Sequence, residues 1–502
     1  MNIKQLLIKH ASAYPHKGAF IFEDKATSFL ELKESSFKVA NFLSASGIEK
    51  SDKIALFLSN IPEAVYSYLG VFSIGATLIP LDFMLTENEV IHFINHSETK
   101  ILITQPKKDI DLARIKQSCP TLQQIIVCKT PVDGLTSWAD AMAKSSSEAP
   151  ALAYAEGDRS SIFYTSGSTG HPKGVVLNYA HLDNPTDSID HFLTVTEKDI
   201  FLTGGVPFSH VGGLNYIVLM ARFASTMILM ERFSPLEFLK NIEKHKVTIF
   251  CIVPAMYVAI LSLKEYEKFD LSSLRYAVVF GAPSSPALLA RFHAACPKAV
   301  VLNGWGMTET AAPNTFSPPD EGKINSIGKF GFRMTSKIVD DNTNLVKAGE
   351  KGELWVKGEG VMAGYYNAQD LTREVLTQDG WLKTGDIAYA DKEGLIYLAG
   401  RKKDMIKVAG EIVFPAEIEE KMHVHPNIKE AAVIGIPDKM RGEVPKAFIV
   451  TKDGQNLDLE ELREFLKKNL APFKIPHFFE FMVELPKNRV GKVDKTKLVG
   501  SR

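Results

Sequence analysis

Residues 164–174 have the sequence Tyr-Thr-Ser-Gly-Ser-Thr-Gly-His-Pro-Lys-Gly, which is the strongest local signal in the chain. Residues 161–163 (Ser-Ile-Phe) before this stretch and residues 175–177 (Val-Val-Leu) after it predict a strand on each side. Glycines allow a tight backbone turn, hydroxyl and amide groups donate to phosphate oxygens, and Lys173 adds a positive charge. These features predict a loop that binds a polyphosphate.

The loop differs from a Walker A motif. Pro172 precedes the lysine where that motif has glycine, and Gly174 follows where serine or threonine is required. A flexible Ser/Gly linker is the alternative interpretation of its composition. The proline next to Lys173 and the apolar runs on both sides argue against a linker.

Around this loop, short β-branched or aromatic runs alternate with segments of helical period, at residues 53–58, 100–104, 124–128, 248–253, 276–280 and 299–302. This alternation predicts an α/β fold with layered, largely parallel sheets. Glycine-bearing turns are expected after two of the runs, at Gly281-Ala-Pro and at Asn303-Gly-Trp-Gly. Ligands of open α/β sheets collect beyond such strand ends.

The organisation changes in the last third of the chain. From about Lys337 a strand-and-turn pattern predicts a β-rich unit, and after Gly400-Arg-Lys-Lys-Asp a compact α+β tail of about one hundred residues is expected. A length of 502 residues predicts about three folding units. We therefore predict a large N-terminal domain (1–400), a hinge (401–403) and a small mobile C-terminal domain (404–502).

Composition limits the classes of function. The 58 Lys and Arg residues nearly balance the 59 Asp and Glu residues, and 45% of the chain is apolar, so nothing indicates a nucleic-acid partner. No segment has the features of an export signal or a membrane span, and we expect a cytoplasmic protein. The four cysteines are widely spaced, which predicts buried packing residues rather than a zinc site or disulfides.

The loop at 164–174 resembles the phosphate loop of the adenylate-forming (AMP-binding) superfamily. This superfamily contains acyl- and aryl-CoA synthetases, amino-acid adenylation domains and beetle luciferases. The resemblance covers the chain from about Leu30 to Lys497, and it recurs in order at five further places. It implies ATP, Mg²⁺ and coenzyme A as cofactors or co-substrates, with a small-molecule carboxylic acid as the other substrate.

The resemblance also implies a set of ATP-binding residues. These are Thr165, Ser166, Gly167, Ser168, Thr169, Gly170 and Lys173 in the loop, Gly281, Ala282, Pro283, Asn303, Gly304, Trp305, Gly306 and Thr308 in the adenine-binding turns, and Asp386, Arg401 and Lys492. Trp305 occupies the place of an aromatic residue that stacks on adenine, and a buried core tryptophan is the alternative. Glu309, with Thr169, matches the residues that hold Mg²⁺.

Four further segments match motifs of the same superfamily. Asp386 in Thr-Gly-Asp is expected to accept hydrogen bonds from the ribose hydroxyls. Lys403 matches the hinge position, and Lys492 near the end of the chain matches the lysine that enters the site for adenylation. Lys407 and Gly410 match the segment that faces the site during thiol transfer, which implies a rotation of the C-terminal domain.

Pro207-Phe-Ser-His-Val-Gly-Gly213 matches the segment that begins the acyl pocket, with His210 as a gating aromatic residue. The expected acyl-binding residues are His210, Val211, Gly212, Gly213, Phe280, Gly306 and Met307. This segment has no Asp to pair with a substrate ammonium group, which argues against amino acids. Gly306 lies where acetate-specific members have tryptophan, so we expect a medium- or long-chain fatty acid or an aryl acid.

The reaction implied is ATP-dependent formation of an acyl-adenylate with release of pyrophosphate, followed by acyl transfer to coenzyme A. Lys492, Lys173, His210 and Lys407 are the expected catalytic residues, and no residue of the sequence stands out as a base for the thiol. Transfer to a carrier-protein phosphopantetheine thiol is the alternative within enzymes. A non-catalytic nucleotide-binding sensor is the alternative of another class, and a homodimer is left open.

Overall fold

The computed structural model describes residues 1–151, 154–165, 172–281, 286–452, 457–487 and 493–499. The strands in these residues are β1 (Gly18–Phe22), β2 (Lys25–Ser28), β3 (Lys53–Phe57), β4 (Thr77–Pro80), β5 (Ile101–Thr104), β6 (Gln124–Val127), β7 (Thr136–Ser137), β8 (Arg159–Thr165), β9 (Lys173–Asn178), β10 (Ile200–Leu202), β11 (Thr226–Leu229), β12 (Ile249–Ile252), β13 (Tyr276–Val279), β14 (Val300–Trp305), β15 (Thr315–Phe316), β16 (Met334–Val339), β17 (Gly352–Gly358), β18 (Gly364–Tyr365), β19 (Leu382–Ala390), β20 (Ile396–Arg401), β21 (Ile406–Val408), β22 (Glu411–Val413), β23 (Ile428–Asp438), β24 (Gly442–Thr451) and β25 (Phe478–Phe481).

Helices alternate with these strands along most of the chain. Their bounds are α1 (Ile3–Ala13), α2 (Phe29–Ala45), α3 (Pro62–Ser73), α4 (Glu87–Ser97), α5 (Leu112–Ser118), α6 (Trp138–Ala143), α7 (Asp183–Leu193), α8 (Val211–Phe223), α9 (Pro235–His245), α10 (Pro254–Leu261), α11 (Pro286–Ala295), α12 (Gln369–Val375), α13 (Pro415–His423), α14 (Leu459–Asn469) and α15 (Lys495–Val499). None of the helices formed by the described residues is long and apolar enough to span a membrane.

Two eight-stranded sheets form the larger part of the molecule. Their strand orders are β18-β9-β8-β4-β3-β5-β6-β7 and β15-β14-β13-β12-β10-β11-β1-β2. The central strands are parallel, as between β3 and β4 or β12 and β13, whereas antiparallel pairs such as β8–β9, β9–β18 and β14–β15 lie toward the edges. The predicted α/β fold with largely parallel sheets is confirmed.

One apolar core fills the space between the two large sheets. It joins Phe163 of one sheet and Met227 of the other to buried residues of α2, α3 and α8 such as Phe37, Tyr68 and Ile217. Strand β3 is almost entirely buried, as expected for a short, continuously apolar run in a parallel sheet. Helix α3 contacts β3 and β4 of one sheet and α8 contacts β11 of the other, so these helices link the two sheets through the shared core.

The last third of the chain forms two smaller sheets. The sheet β16-β17-β19-β20 is antiparallel, and the sheet β22-β21-β24-β23, with β25 next to β24, packs with α13 and α14. This second sheet has its own core, which includes Val413, Ile418, Val433, Ile449 and Leu462. The predicted β-rich unit and small α+β C-terminal domain are confirmed, while the boundaries at 400 and 404 stay predictions.

Of the two predicted turns, one has a different structure. Gly281 follows β13 with φ of +86°, a conformation that favours glycine. Asn303, Gly304 and Trp305 instead continue β14, because Gly304 pairs with Phe316 and Trp305 with Thr315 of the antiparallel strand β15. The predicted turn at Asn303-Gly-Trp is therefore wrong, and Trp305 lies at a strand end.

The cysteines behave as predicted. All four are free thiols, with Cys119, Cys128 and Cys296 buried and Cys251 partly buried. Burial raises the pKa of the Cys251 thiol to about 12, so it stays protonated at neutral pH. These residues pack the core and offer no reactive thiolate.

Candidate active site

The predicted phosphate loop lies between β8 and β9, which pair as an antiparallel hairpin. Strands β8 and β9 pair up to Thr165 opposite Lys173, which sets the two ends of the loop side by side. The intervening predicted residues Ser166, Gly167, Ser168, Thr169 and Gly170 lie outside the described residues. The register of the hairpin therefore places Lys173 at the C-terminal end of the loop, opposite Thr165.

The side chains of Lys173 and Glu309 both contact Tyr365. The Nζ of Lys173 lies 5.1 Å from the centroid of the Tyr365 ring, and the Tyr365 hydroxyl donates a hydrogen bond of 3.0 Å to Oε1 of Glu309. Tyr365 and Glu309 are both buried. The predicted phosphate lysine and the predicted metal carboxylate therefore belong to one cluster.

Tyr365 was not found by sequence reasoning. Burial, followed by the negative charge of Glu309, raises the pKa of Tyr365 far above its ordinary value, so the phenol stays protonated and acts as a donor. The available signal was the Gly364-Tyr-Tyr triplet, in which an aromatic pair follows a glycine with φ of +139°. Nothing local connects that triplet to residue 309.

Trp305, Asp386 and Arg401 form a second cluster. The indole N–H of Trp305 donates to Oδ2 of Asp386 at 3.0 Å, and Nε of Arg401 lies 2.9 Å from Oδ1. Arg401 also donates to the carbonyl of Thr384 at 3.0 Å. The pairing of β19 with β20 sets Asp386 opposite Arg401, so the two predicted nucleotide contacts are adjacent.

The environment of Trp305 bears on its predicted stacking role. Its side chain lies in the core with 5% of its surface exposed, and the Phe330 ring meets it edge-on at 5.4 Å. The buried-tryptophan alternative describes this arrangement, with the added function of an N–H donor to Asp386. Stacking on adenine stays a prediction.

The other predicted nucleotide contacts surround these clusters. Asn303 donates through Nδ2 to the carbonyl of Ser326 at 3.2 Å, and Gly304 lies on β14 against Phe316. Thr308 begins the short 3₁₀ turn that carries Glu309. The predicted residues Ala282 and Pro283 lie outside the described residues.

An apolar cavity of about 80 Å³ lies between α8 and the second large sheet. Its walls include Phe201, Tyr216, Phe280 and Phe316. No Asp, Glu, Lys or Arg side chain lines it among the described residues. Such a cavity suits an apolar group and disfavours a charged one.

Two of the seven residues predicted to bind the acyl group line this cavity, Gly212 and Phe280. The others have different neighbours among the described residues. A Cβ on Gly213 would overlap the carbonyl oxygen of Pro207, and a Cβ on Gly306 would lie 2.5 Å from Cβ of Ala312. These two glycines permit close backbone packing. Met307 packs against the main core, and Val211 begins α8.

His210 lies just before α8, between the cavity-lining residues Val206 and Gly212. Its Nε2 is 3.8 Å from Oδ2 of Asp82 and has no hydrogen-bond partner among the described residues. Asn60 holds the preceding segment by donating to the carbonyl of Val206 at 2.8 Å and accepting from the amide of Phe208 at 3.0 Å. Asp82 and Asn60 were both missed by sequence reasoning.

The predicted hinge and thiol-transfer residues lie in the C-terminal part of the molecule. Lys403 is exposed in a short 3₁₀ turn after β20. Lys407 is exposed on β21, and Ala409 and Gly410, both with positive φ, form the tight turn to β22. Lys492 lies outside the described residues.

The large α/β domain carries a β-hairpin around the predicted phosphate loop, a carboxylate paired with an arginine, a lysine and a carboxylate that contact the same tyrosine, and an apolar cavity. With the small α+β domain that follows, this arrangement is the one expected of an adenylate-forming enzyme. Residues 7–366 match the AMP-binding enzyme family and residues 417–492 match the AMP-binding enzyme C-terminal domain. The chain belongs to the AMP-binding enzyme family, in the acyl- and aryl-CoA synthetase branch.

Known proteins similar to this chain share almost its whole length. A long-chain-fatty-acid–CoA ligase of Bacillus subtilis (strain 168) is 34% identical, covering 99% of this chain and 94% of the relative. A crotonobetaine/carnitine–CoA ligase of Escherichia coli O7:K1 is 32% identical, with 99% and 98% covered. The crystal structure of the anthranilate CoA ligase AuaEII with anthranoyl-AMP superposes with a TM-score of 0.92 at 27% identity, covering 100% of this chain and 97% of that one.

Replacing Trp305 by Phe separates stacking from hydrogen bonding. Phenylalanine keeps an aromatic face but removes the donor to Asp386, and hydrogen bonds to charged groups contribute about 1.5–3 kcal/mol. We expect Trp305→Phe to weaken ATP binding at least about tenfold, measured by calorimetry with the purified protein. Trp381→Phe is the matched control, because the Trp381 ring lies beneath the Lys337 ammonium group. ATP affinity equal to wild type would assign Trp305 to packing or stacking alone.

Proposed function

We propose that this enzyme activates an apolar carboxylic acid with ATP and transfers the acyl group to coenzyme A. The observation that carries the proposal is the convergence of Lys173 and Glu309 on Tyr365. These residues come from three distant parts of the chain. A lysine and a carboxylate that both contact one tyrosine, with the lysine at the end of a glycine-rich segment, are the groups that a metal–triphosphate complex requires.

In the first step the substrate carboxylate attacks the α-phosphorus of ATP and pyrophosphate leaves. A free carboxylic acid is ionised at neutral pH, so this step needs no general base. It needs positive charge near the phosphates and correct positioning. Lys173 supplies one charge from the hairpin, Lys492 is assigned the other, and Asp386 with Arg401 is assigned to the ribose.

The residues present fit a magnesium ion. Glu309 is a hard oxygen ligand, its Oε1 accepts from Tyr365, and its Oε2 receives no hydrogen bond from the described residues. One carboxylate is sufficient because Mg²⁺ keeps several waters and binds phosphate oxygens. Thr169 is proposed as a further ligand. Bound there, the ion would neutralise charge on the phosphates during pyrophosphate release.

Removing the Lys492 ammonium group tests whether this lysine acts in adenylation and not in thioester formation. We expect Lys492→Ala to slow acid-dependent pyrophosphate exchange by at least about 100-fold, the usual cost of losing a charge-stabilising donor. Thioester formation from supplied acyl-adenylate should stay near wild type. Lys487→Ala, on a lysine paired with Glu430 in the same part of the chain, is the control. Equal loss of both half-reactions would remove the assignment.

The second step needs a proton acceptor, because the thiol must lose its proton as sulfur attacks the acyl carbon and AMP leaves. His210 is assigned to this role. Asp82, with Oδ2 3.8 Å from Nε2 of His210, would orient the ring. Distances between catalytic groups in unliganded sites are commonly longer than in the reacting complex.

Two variants test this pair. General bases contribute about 10²–10⁴-fold, so we expect His210→Phe to slow thioester formation from supplied adenylate by about 100-fold. Asp82→Asn, which keeps the turn at Met84, should have a smaller effect in the same direction. Pyrophosphate exchange should change little in both variants. Equal slowing of pyrophosphate exchange and of thioester formation would show that His210 has a structural or gating role instead.

The acid is proposed to be a medium- or long-chain fatty acid or an aryl acid. The uncharged walls of the cavity support an apolar group, and aromatic side chains on several sides suit a ring or an alkyl chain. A cavity that holds benzene measures about 150 Å³, so a larger acid requires the lining side chains to move. By their names, two of the three similar proteins act on a long-chain fatty acid and on anthranilate, and the third acts on crotonobetaine and carnitine.

A substrate panel tests the proposed function directly. Acids of graded chain length, aryl acids, acetate and amino acids would be scored by ATP-dependent pyrophosphate release, with and without free coenzyme A. We expect an apolar acid to exceed acetate and amino acids by at least about 100-fold in kcat/KM. Release without thioester formation on free coenzyme A would favour a carrier-protein thiol. No release with any acid would leave the sensor alternative.

The mobile C-terminal domain is proposed to begin after the hinge at 401–403. Ion pairs of Arg401 with Asp386 and of Lys402 with Glu353 hold the end of β20 to the large domain. Rotation beyond this point would exchange the Lys492 face for the Lys407 and Gly410 turn. A cytoplasmic location and a homodimer stay predictions.

A further inference from the structure

Tyr365 has no role assigned by the sequence analysis, yet it contacts both charged residues of the proposed phosphate site. Its hydroxyl donates to Glu309 at 3.0 Å, and its ring lies beneath the Lys173 ammonium group at 5.1 Å from the centroid. Its side chain is 9% exposed. A single residue thus separates an anion and a cation while contacting each of them.

The backbone around Tyr365 leaves the side chain little freedom. Tyr365 lies opposite Val175 in the β9–β18 pair, and the amide of Tyr366 donates to the carbonyl of Gly174 at 2.7 Å. The amide of Tyr365 donates to Oγ1 of Thr372 at 2.9 Å. The ring is therefore attached to the same hairpin that carries Lys173.

Glu309 is tied to the same segment by its own backbone. Its carbonyl oxygen accepts a hydrogen bond of 2.9 Å from the amide of Met362. Its Oε1 is occupied by the Tyr365 hydroxyl, which leaves Oε2 as the carboxylate oxygen without a donor among the described residues. A neutral donor orients the carboxylate without cancelling its charge, as a lysine or arginine would.

Lys173 is held in a complementary way. No carboxylate of the described residues lies within 4.0 Å of its Nζ, and its charge rests on the π face of Tyr365. A cation–π contact contributes about 0.5–2 kcal/mol, so it orients the ammonium group but leaves its donors available. Direct pairing of Lys173 with Glu309 would neutralise both groups before any phosphate arrived.

We propose that Tyr365 is a positioning residue that holds Glu309 for a divalent cation and Lys173 for phosphate, and that prevents the two from pairing with each other. The inference rests on the proposed function, since it assigns a task within the same ATP site. The two parts of the Tyr365 side chain have different roles in this proposal. The hydroxyl acts on the metal carboxylate, and the ring acts on the lysine.

The test compares Tyr365→Phe, which loses only the hydroxyl, with Tyr365→Leu, which also loses the ring. Tyr366→Phe is the matched control, because Tyr366 is the next residue and its hydroxyl contacts Glu98 at 3.4 Å, away from the site. The readouts are binding of Mn²⁺ with ATP, followed by electron paramagnetic resonance, and the Mg²⁺ dependence of pyrophosphate release. Circular dichroism melting checks that each variant folds.

Tyr365→Phe should raise the half-saturating concentrations of Mn²⁺ and Mg²⁺ by about tenfold and leave the KM for the acid unchanged. Tyr365→Leu should in addition weaken ATP binding measured without metal by about threefold or more. Tyr366→Phe should match wild type in every readout. Metal dependence of Tyr365→Phe equal to that of wild type would overturn the proposal.

A second comparison tests whether the Tyr365 hydroxyl acts through Glu309. If Tyr365 acts through Glu309, adding Tyr365→Phe to Glu309→Gln should cause no further loss of Mn²⁺ binding. Full additivity of the two losses would overturn the proposal. Failure of the proposed function would be seen differently, as wild-type protein that releases no pyrophosphate with any acid while Mn²⁺–ATP binding still distinguishes the variants.

Discussion

The antiparallel pairing of β8 with β9, extended by β18, is the constraint on which the candidate site depends. β8 pairs with β4 in the buried parallel sheet, β9 returns beside it with Lys173 at its start, and β18 brings Tyr365 to the other side of β9. A one-residue slip in a strand turns every side chain to the opposite face. The relative position of the lysine, the tyrosine and Glu309 thus follows from hydrogen bonds between backbones.

The two carboxylates of the site differ in their electrostatic environment. Asp386 has the Arg401 guanidinium on one oxygen and the Trp305 indole N–H on the other, so its charge is largely compensated. Glu309 has a neutral hydroxyl as its donor, and no cationic side chain of the described residues pairs with it. A compensated carboxylate suits the neutral hydroxyls of a sugar, whereas an uncompensated one suits a metal ion. The division of tasks proposed for them agrees with this difference.

The apolar cavity and the charged clusters lie on different elements. The cavity is built between α8 and the second sheet, and the segment before α8 is held to the first sheet region by Asn60. His210 follows that segment, close to Asp82. The acid would therefore be held by apolar packing, and the nucleotide by charge and hydrogen bonds, with the segment around His210 next to both large sheets.

Periodicity and composition were sufficient for the layered α/β fold, most strand positions, the helix at Pro415–His423 and the packing role of the cysteines, because these depend on neighbouring residues. The turn predicted at Asn303-Gly-Trp failed because β15, a partner from further along the chain, extends β14. Motif order indicated Lys173, Glu309, Asp386 and Arg401. Only the tertiary structure decided that Tyr365 joins the first two, that Trp305 donates to Asp386 and that Asp82 accompanies His210, because such contacts join residues far apart in sequence whose pairing leaves no local pattern.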